Sequence, residues 1–197
     1  MAYTTFNDRV SDLFKEVSAL EEGHFEYDSG LHGEIHFEKR NIITRPAVLE
    51  ELAGILADYL ISKNVEIDVV CSPAVGGVPF ALFVSLHMKC RFVFCDRKQS
   101  LALSLRNKFA PVVQGQRILF IDDNLTTGTT LKESCRLLEK YDAQVVHAGF
   151  IADVCSKNRC LPVQVTALLS QTDTAWQVGN CPLCEKGVPM GQKQESE

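Results

Sequence analysis

Asp122 and Asp123 follow a short apolar run, Ile118 to Ile121, and lead into Thr126, Thr127, Gly128, Thr129 and Thr130. Two adjacent carboxylates accept hydrogen bonds. They suit sugar hydroxyls or a Mg²⁺ shell, and they are badly placed to hold phosphate themselves. A loop of small hydroxyl residues at the start of a helix does hold phosphate, because backbone N–H groups and the positive end of the helix dipole face the anion. Gly128 lets the backbone approach that anion closely. A phosphate cradle beside a diol-reading acid pair describes a ribose 5-phosphate site. Residues 71–79, CSPAVGGVP, place Ala74, Gly76 and Gly77 in a second turn of anion-binding type. A Gly-Gly turn is a weak signal alone and gains weight beside the first motif. A third feature is the basic stretch 96–109 with Arg97, Lys98, Arg106 and Lys108.

These residues need elements to position them. Val10, Leu13, Phe14, Val17 and Leu20 fall at helical spacing, with Asn7 or Asp8 as cap and Gly23 as stop. Residues 24–44 read as short strands and turns around Asp28-Ser29-Gly30. Pro46 opens a second helix with an apolar face from Leu49 to Leu60. Ile67 to Cys71 reads as a buried strand, the turn 72–77 follows, and a third helix runs through Met88. Residues 91–95 form another strand, whereas 96–110 carry no firm periodicity. Strand 117–122, helix 129–141, and strands 145–151 and 163–169 complete the pattern. Strands alternating with helices predict an α/β, doubly wound, mainly parallel sheet. In such a sheet ligands bind beyond the C-terminal strand ends, where loops 72–77 and 122–130 both fall.

With 197 residues, a single domain over 1–190 is expected, with a core of about 46–170 and a disordered tail at 191–197. The net charge of −5 argues against a nucleic-acid surface. No apolar run is long enough to span a membrane. No signal peptide is visible, so the eight cysteines read as cytosolic thiols and the location as cytoplasmic.

RILFIDDNLTTGTTLKES, residues 117–134, resembles the signature of the type I phosphoribosyltransferases, which bind 5-phosphoribosyl 1-diphosphate (PRPP). Asn124 stands where that family usually has an apolar residue. EEGHFEYDSGLHGEIHF, residues 21–37, resembles the hood over the base in the orotate branch, which implies a small N-terminal hood at about 1–45. Asp96-Arg97 and Leu105-Arg106-Asn107-Lys108-Phe109 resemble the lid loop of a shorter variant of that branch, and CPLCEKGVP at 181–189 resembles its C-terminal signature. The resemblance covers roughly residues 8–190. It implies transfer of 5-phosphoribosyl from PRPP to a nucleobase nitrogen with release of pyrophosphate, in nucleotide metabolism and pyrimidine biosynthesis. Orotate is the default base. Asp122 and Asp123 would hold the ribose, residues 126–130 the 5-phosphate, and Ala74, Gly76, Gly77, Arg97 and Lys98 the pyrophosphate. Mg²⁺ would come bound mainly through PRPP and pyrophosphate. Arg106 or Lys108 would close the lid, commonly over a partner's site, which implies a homodimer.

Phe25, Asp28 and Val154 fall at the expected base contacts. Two of them depart from the pattern: Asp28 stands where other members have Lys or Ser, and Val154 where Arg binds orotate. Both changes weaken attraction for an anionic base and predict that orotate is used poorly. A sister enzyme for another base and a non-catalytic nucleotide sensor are the alternatives. Cys181-x2-Cys184 has metal-ligand spacing, and Cys155 and Cys160 could complete a zinc site. The reading favoured here is a thiol turn without metal. His32 and His36 are read as surface residues of the hood, and Cys71, Cys90, Cys95 and Cys135 as core.

Overall fold

The computed structural model describes residues 3–27, 30–97, 102–154, 159–171 and 175–191. In chain order the elements are β1 (Tyr3–Thr5), α1 (Asp8–Glu16), β2 (Leu20–Glu26), β3 (His32–Phe37), α2 (Lys39–Ile43), α3 (Pro46–Ser62), β4 (Val69–Pro73) and α4 (Val78–Met88). Then come β5 (Arg91–Arg97), β6 (Leu103–Leu105), α5 (Ala110–Val113), β7 (Arg117–Leu125), α6 (Thr129–Glu139), β8 (Gln144–Asp153), β9 (Val165–Gln171), β10 (Ala175–Trp176) and α7 (Pro182–Glu185).

Seven strands form the main sheet in the order β1-β9-β8-β7-β4-β5-β6. The inner pairings are parallel, and both edges, β1 on β9 and β6 on β5, are antiparallel. The alternating pleat explains the continuous apolar runs. Val69, Cys71, Ile118 and Phe120 face one core with α5 and α6, whereas Val70, Leu119 and Ile121 face the other with α1, α3 and α4. Adjacent strands β4 and β7 therefore send their helices to opposite sides. The crevice between their C-terminal ends is the switch point of the sheet, and loops 74–77 and 126–128 open onto it.

The first helix is shorter than its periodicity predicts, and Leu20 and Gly23 belong to β2. Ser18 is left-handed (φ 52°), and Ser18 N–H donates to Lys15 O at 3.0 Å and Ala19 N–H to Phe14 O at 2.8 Å. That pair is a Schellman stop made with serine in place of glycine. β2 and β3, within the segment read as the hood, form a second sheet with β10 from the far end of the chain. β1, by contrast, lies in the main sheet rather than with the hood. The stretch 96–110 also holds more structure than its composition suggests, since β6 pairs back onto β5 and Leu105 is buried. Among the described residues no helix is long and apolar enough to cross a membrane.

Candidate active site

β7 carries Asp122 and Asp123 past the last residue paired with β4, and the pleat separates them. Asp122 lines a hollow of about 240 Å³ together with Thr126, Thr127, Gly128, Thr129 and Thr130. Asp123 is buried and meets Lys39 at the start of α2, with Nζ 2.6 Å from Oδ2. Its other oxygen accepts Asn124 N–H at 2.6 Å, and Asp122 Oδ1 accepts Asp123 N–H at 2.9 Å. Burial, and then the neighbouring Asp123 charge, push the Asp122 carboxyl up to about 7. An acid poised there takes up positive charge or hydroxyl donors readily.

Residues 126–128 turn from the end of β7 into α6. Gly128 is left-handed (φ 78°) at the first position before α6, and that helix has no side-chain cap. Thr129 N–H makes only a long contact to Thr127 Oγ1, 3.4 Å, and the start of α6 lines the hollow, an arrangement suited to an anion. A Cβ on Gly128 would lie 2.6 Å from Leu161 Cδ2, so backbone and space both demand glycine. Thr127 and Thr129 hydroxyls are 2.8 Å apart. Asn124, the unusual residue of the motif, lines the same hollow, and its Oδ1 is buried without a hydrogen-bond partner among the described residues.

The second turn packs directly on the acids. A Cβ at Gly76 would lie 2.2 Å from Asp123 Oδ2, and one at Gly77 2.7 Å from Asp122 Cα. Glycine at both positions is what lets the two loops share one crevice. Just before the two glycines the Ala74–Val75 peptide is cis. Arg97, at the end of β5, reaches toward the same place: Nη2 donates to Thr130 Oγ1 at 3.3 Å and Nη1 lies 3.1 Å from Glu133 Oε2.

The remaining candidates are placed unevenly. Arg106 lies on the return strand side, with Nε 2.6 Å from Asp96 Oδ2 and its guanidinium over Phe94. Lys108 is exposed. Phe25 is buried with its ring against His36 and against Gly191, so its contacts are those of packing. Val154 packs on the apolar cluster beneath α3. Lys98, Asp28 and Cys155 lie outside the described residues. Two site residues carry no local sequence signal. Lys39 is one. Arg159 is the other: it pairs with Asp153 Oδ2 at 2.5 Å and donates to Thr126 O. Only the return of the chain past β8 brings it to the phosphate loop. The cysteines differ most from expectation. Cys181 and Cys184 stand together with His24 and His32, not with Cys160, and His32 is buried rather than on the surface.

Two anion turns flanking an acid pair, at the switch point of a parallel sheet, define a protein that binds a phosphorylated sugar. The sequence profile of the phosphoribosyl transferase domain matches residues 39–183, and the chain belongs to that family. It is 30% identical over 178 residues to the orotate phosphoribosyltransferase of Caldicellulosiruptor saccharolyticus, covering 90% of this chain and 91% of that protein. Its fold matches the crystal structure of orotate phosphoribosyltransferase from Aeropyrum pernix with TM-score 0.64 at 16% identity, over 90% of this chain and 98% of that one. The adenine phosphoribosyltransferase of Thermoanaerobacter pseudethanolicus matches with TM-score 0.63 at 16% identity, over 80% and 99%. Enzymes named for different bases thus share this fold, and the fold does not choose the base.

Proposed function

We propose that the protein transfers 5-phosphoribosyl from PRPP to a ring nitrogen of a nucleobase, with orotate as the default base. One observation carries this reading: the Gly76–Gly77 turn sits against Asp122 and Asp123 while the Gly128 loop opens beside them. That supports a binding mode with pyrophosphate, ribose and 5-phosphate in line. The base nitrogen bonds to C1 as the C1–O bond to the diphosphate breaks. The bonding pair leaves with pyrophosphate, and the base gives up its proton. C1 carries positive charge in passing, as in glycoside cleavage. Asp122 and Asp123 favour that charge and hold the ribose hydroxyls, while Arg97 and Lys98 receive the leaving group. Asp122 and Asp123 offer the oxygen donors that would help hold a diphosphate-bound Mg²⁺, which would supply charge neutralisation of the leaving group. The same resemblance supports a homodimer acting in the cytoplasm.

Val154 supports a second reading for the base. It packs into the apolar cluster where a cation for orotate is expected, which favours a neutral or amino-bearing base. Binding and turnover test the proposal. PRPP with Mg²⁺ should raise the melting temperature by mass action, and Asp123→Asn or Gly128→Val should abolish the rise. An undiminished rise in both variants would move the site elsewhere. Labelled PRPP assayed against a panel of bases then identifies the acceptor.

A further inference from the structure

Four potential ligands converge where the hood meets the end of the chain. His24 on β2 and His32 on β3 are 2% and 7% exposed. Cys181 is buried and Cys184 lies at the surface, flanking the turn that begins α7. His24 Nε2 lies 2.9 Å from His32 Nδ1, 3.5 Å from Cys181 Sγ and 3.6 Å from Cys184 Sγ. Cys184 Sγ is 3.3 Å from His32 Nδ1.

Hydrogen bonding among these groups does not account for the arrangement. His24 Nδ1 is 2.8 Å from the carbonyl oxygen of Val188, which can only accept. That contact puts the ring proton on Nδ1 and leaves Nε2 with one lone pair. Three groups nevertheless point at that single lone pair. A shared electrophile at their common centre resolves the conflict. Zinc bound at ~2.0 Å to nitrogen and ~2.3 Å to sulfur gives tetrahedral edges of about 3.3 Å for N···N and about 3.5 Å for N···S. The observed separations lie within about 0.5 Å of these edges. The Val188 carbonyl then plays the part that a backbone acceptor plays behind a metal-bound imidazole, fixing tautomer and ring orientation.

We propose that His24, His32, Cys181 and Cys184 hold one zinc ion in a closed, structural site. Four protein ligands leave no open position for substrate, so the ion does not take part in phosphoribosyl transfer. It staples the C-terminal turn onto the hood, clamping β2 and β3 to residues far along the chain. Gly191 N–H, donating to His24 O at 2.6 Å, extends the same seam.

The test is metal content of the full chain, purified without chelators from zinc-supplemented culture. Elemental analysis should find about one zinc per chain. Replacement by Co²⁺ should give the visible bands of a tetrahedral thiolate site, which requires no variant to fold. Cys184→Ser and His32→Gln should each lose most of the metal, and Cys160→Ser should retain it. Chelation should lower the melting temperature and raise proteolysis of residues 175–191. Wild-type protein without zinc and without the cobalt bands would overturn the proposal. So would a Cys181–Cys184 disulfide in the protein as isolated, or zinc lost from Cys160→Ser and kept in His32→Gln.

Discussion

Asp122 concentrates the chemistry of the site in one side chain. Its carboxyl stands at about 7, raised by burial and by Asp123, whereas an unfolded chain carries an ordinary carboxylate. Between those values the folded chain holds a proton that the unfolded chain has released. Stability therefore falls as pH rises through that window and levels off above about 7. Asn at this position avoids the cost of a buried charge. Asp122→Asn should melt higher than wild type at pH 8, with the difference shrinking toward pH 5, while activity is lost. Melting curves at the two pH values check this. A difference that stays constant with pH would mean that Asp122 is not the titrating group. Lys39 opposes the shift through its own positive charge, so Lys39→Met should push the Asp122 carboxyl higher still, readable by NMR titration.

At the scale of elements, the turns decide where strands and helices stop. Ser18 occupies the left-handed position of the α1 stop and is exposed, with no side-chain duty among its described contacts. Glycine takes that conformation without steric cost. Ser18→Gly should stabilise the fold by about 1 kcal/mol, or roughly 2–4 °C in melting temperature, with PRPP binding unchanged. Gly128→Ala should do the reverse, because its Cβ meets Leu161 and its φ is positive. The contrast separates a glycine required by the ligand loop from a serine merely tolerated in a stop. The 96–109 stretch gives a second prediction. Its return arm is held by β6 and by Arg106 on Asp96 and Phe94. Hydrogen exchange should be slow across 103–105 without ligand, and PRPP with Mg²⁺ should slow it further over 106–109.

For the whole molecule the open question of chemistry is the base. The family, its crevice and its relatives' names converge on phosphoribosyl transfer, with orotate as default. Val154 withholds a charge-assisted contact worth roughly 1.5–3 kcal/mol, or about one to two decades in specificity. Orotate should accordingly be used with a kcat/KM lower by that factor than in a Val154→Arg variant assayed side by side. No gain in the variant would show that the cation for orotate is supplied from elsewhere. Arg159, already at the phosphate loop through Asp153 and Thr126, would be the residue to replace next.

The sheet class, the switch-point loops and the acid pair ahead of Thr-Thr-Gly were legible in the chain alone. Each of these is written in contiguous residues: an apolar run ending in Asp122-Asp123, Thr-Thr-Gly before a helix, Gly-Gly after a strand. Their chemistry and their positions are local properties of the chain. The contacts between loops were not local. Gly76 against Asp123, Lys39 on the same carboxylate, Arg159 on Thr126 and β10 beside β3 join residues far apart, and pairing of distant segments leaves no periodic trace. The cysteines show the difference most sharply. Cys181-x2-Cys184 announces two candidate ligands by its spacing, and the groups that stand with them among the described residues are His24 and His32, not Cys160. Folding of the chain end onto the hood chose them, because only the tertiary structure decides which buried groups face a common point.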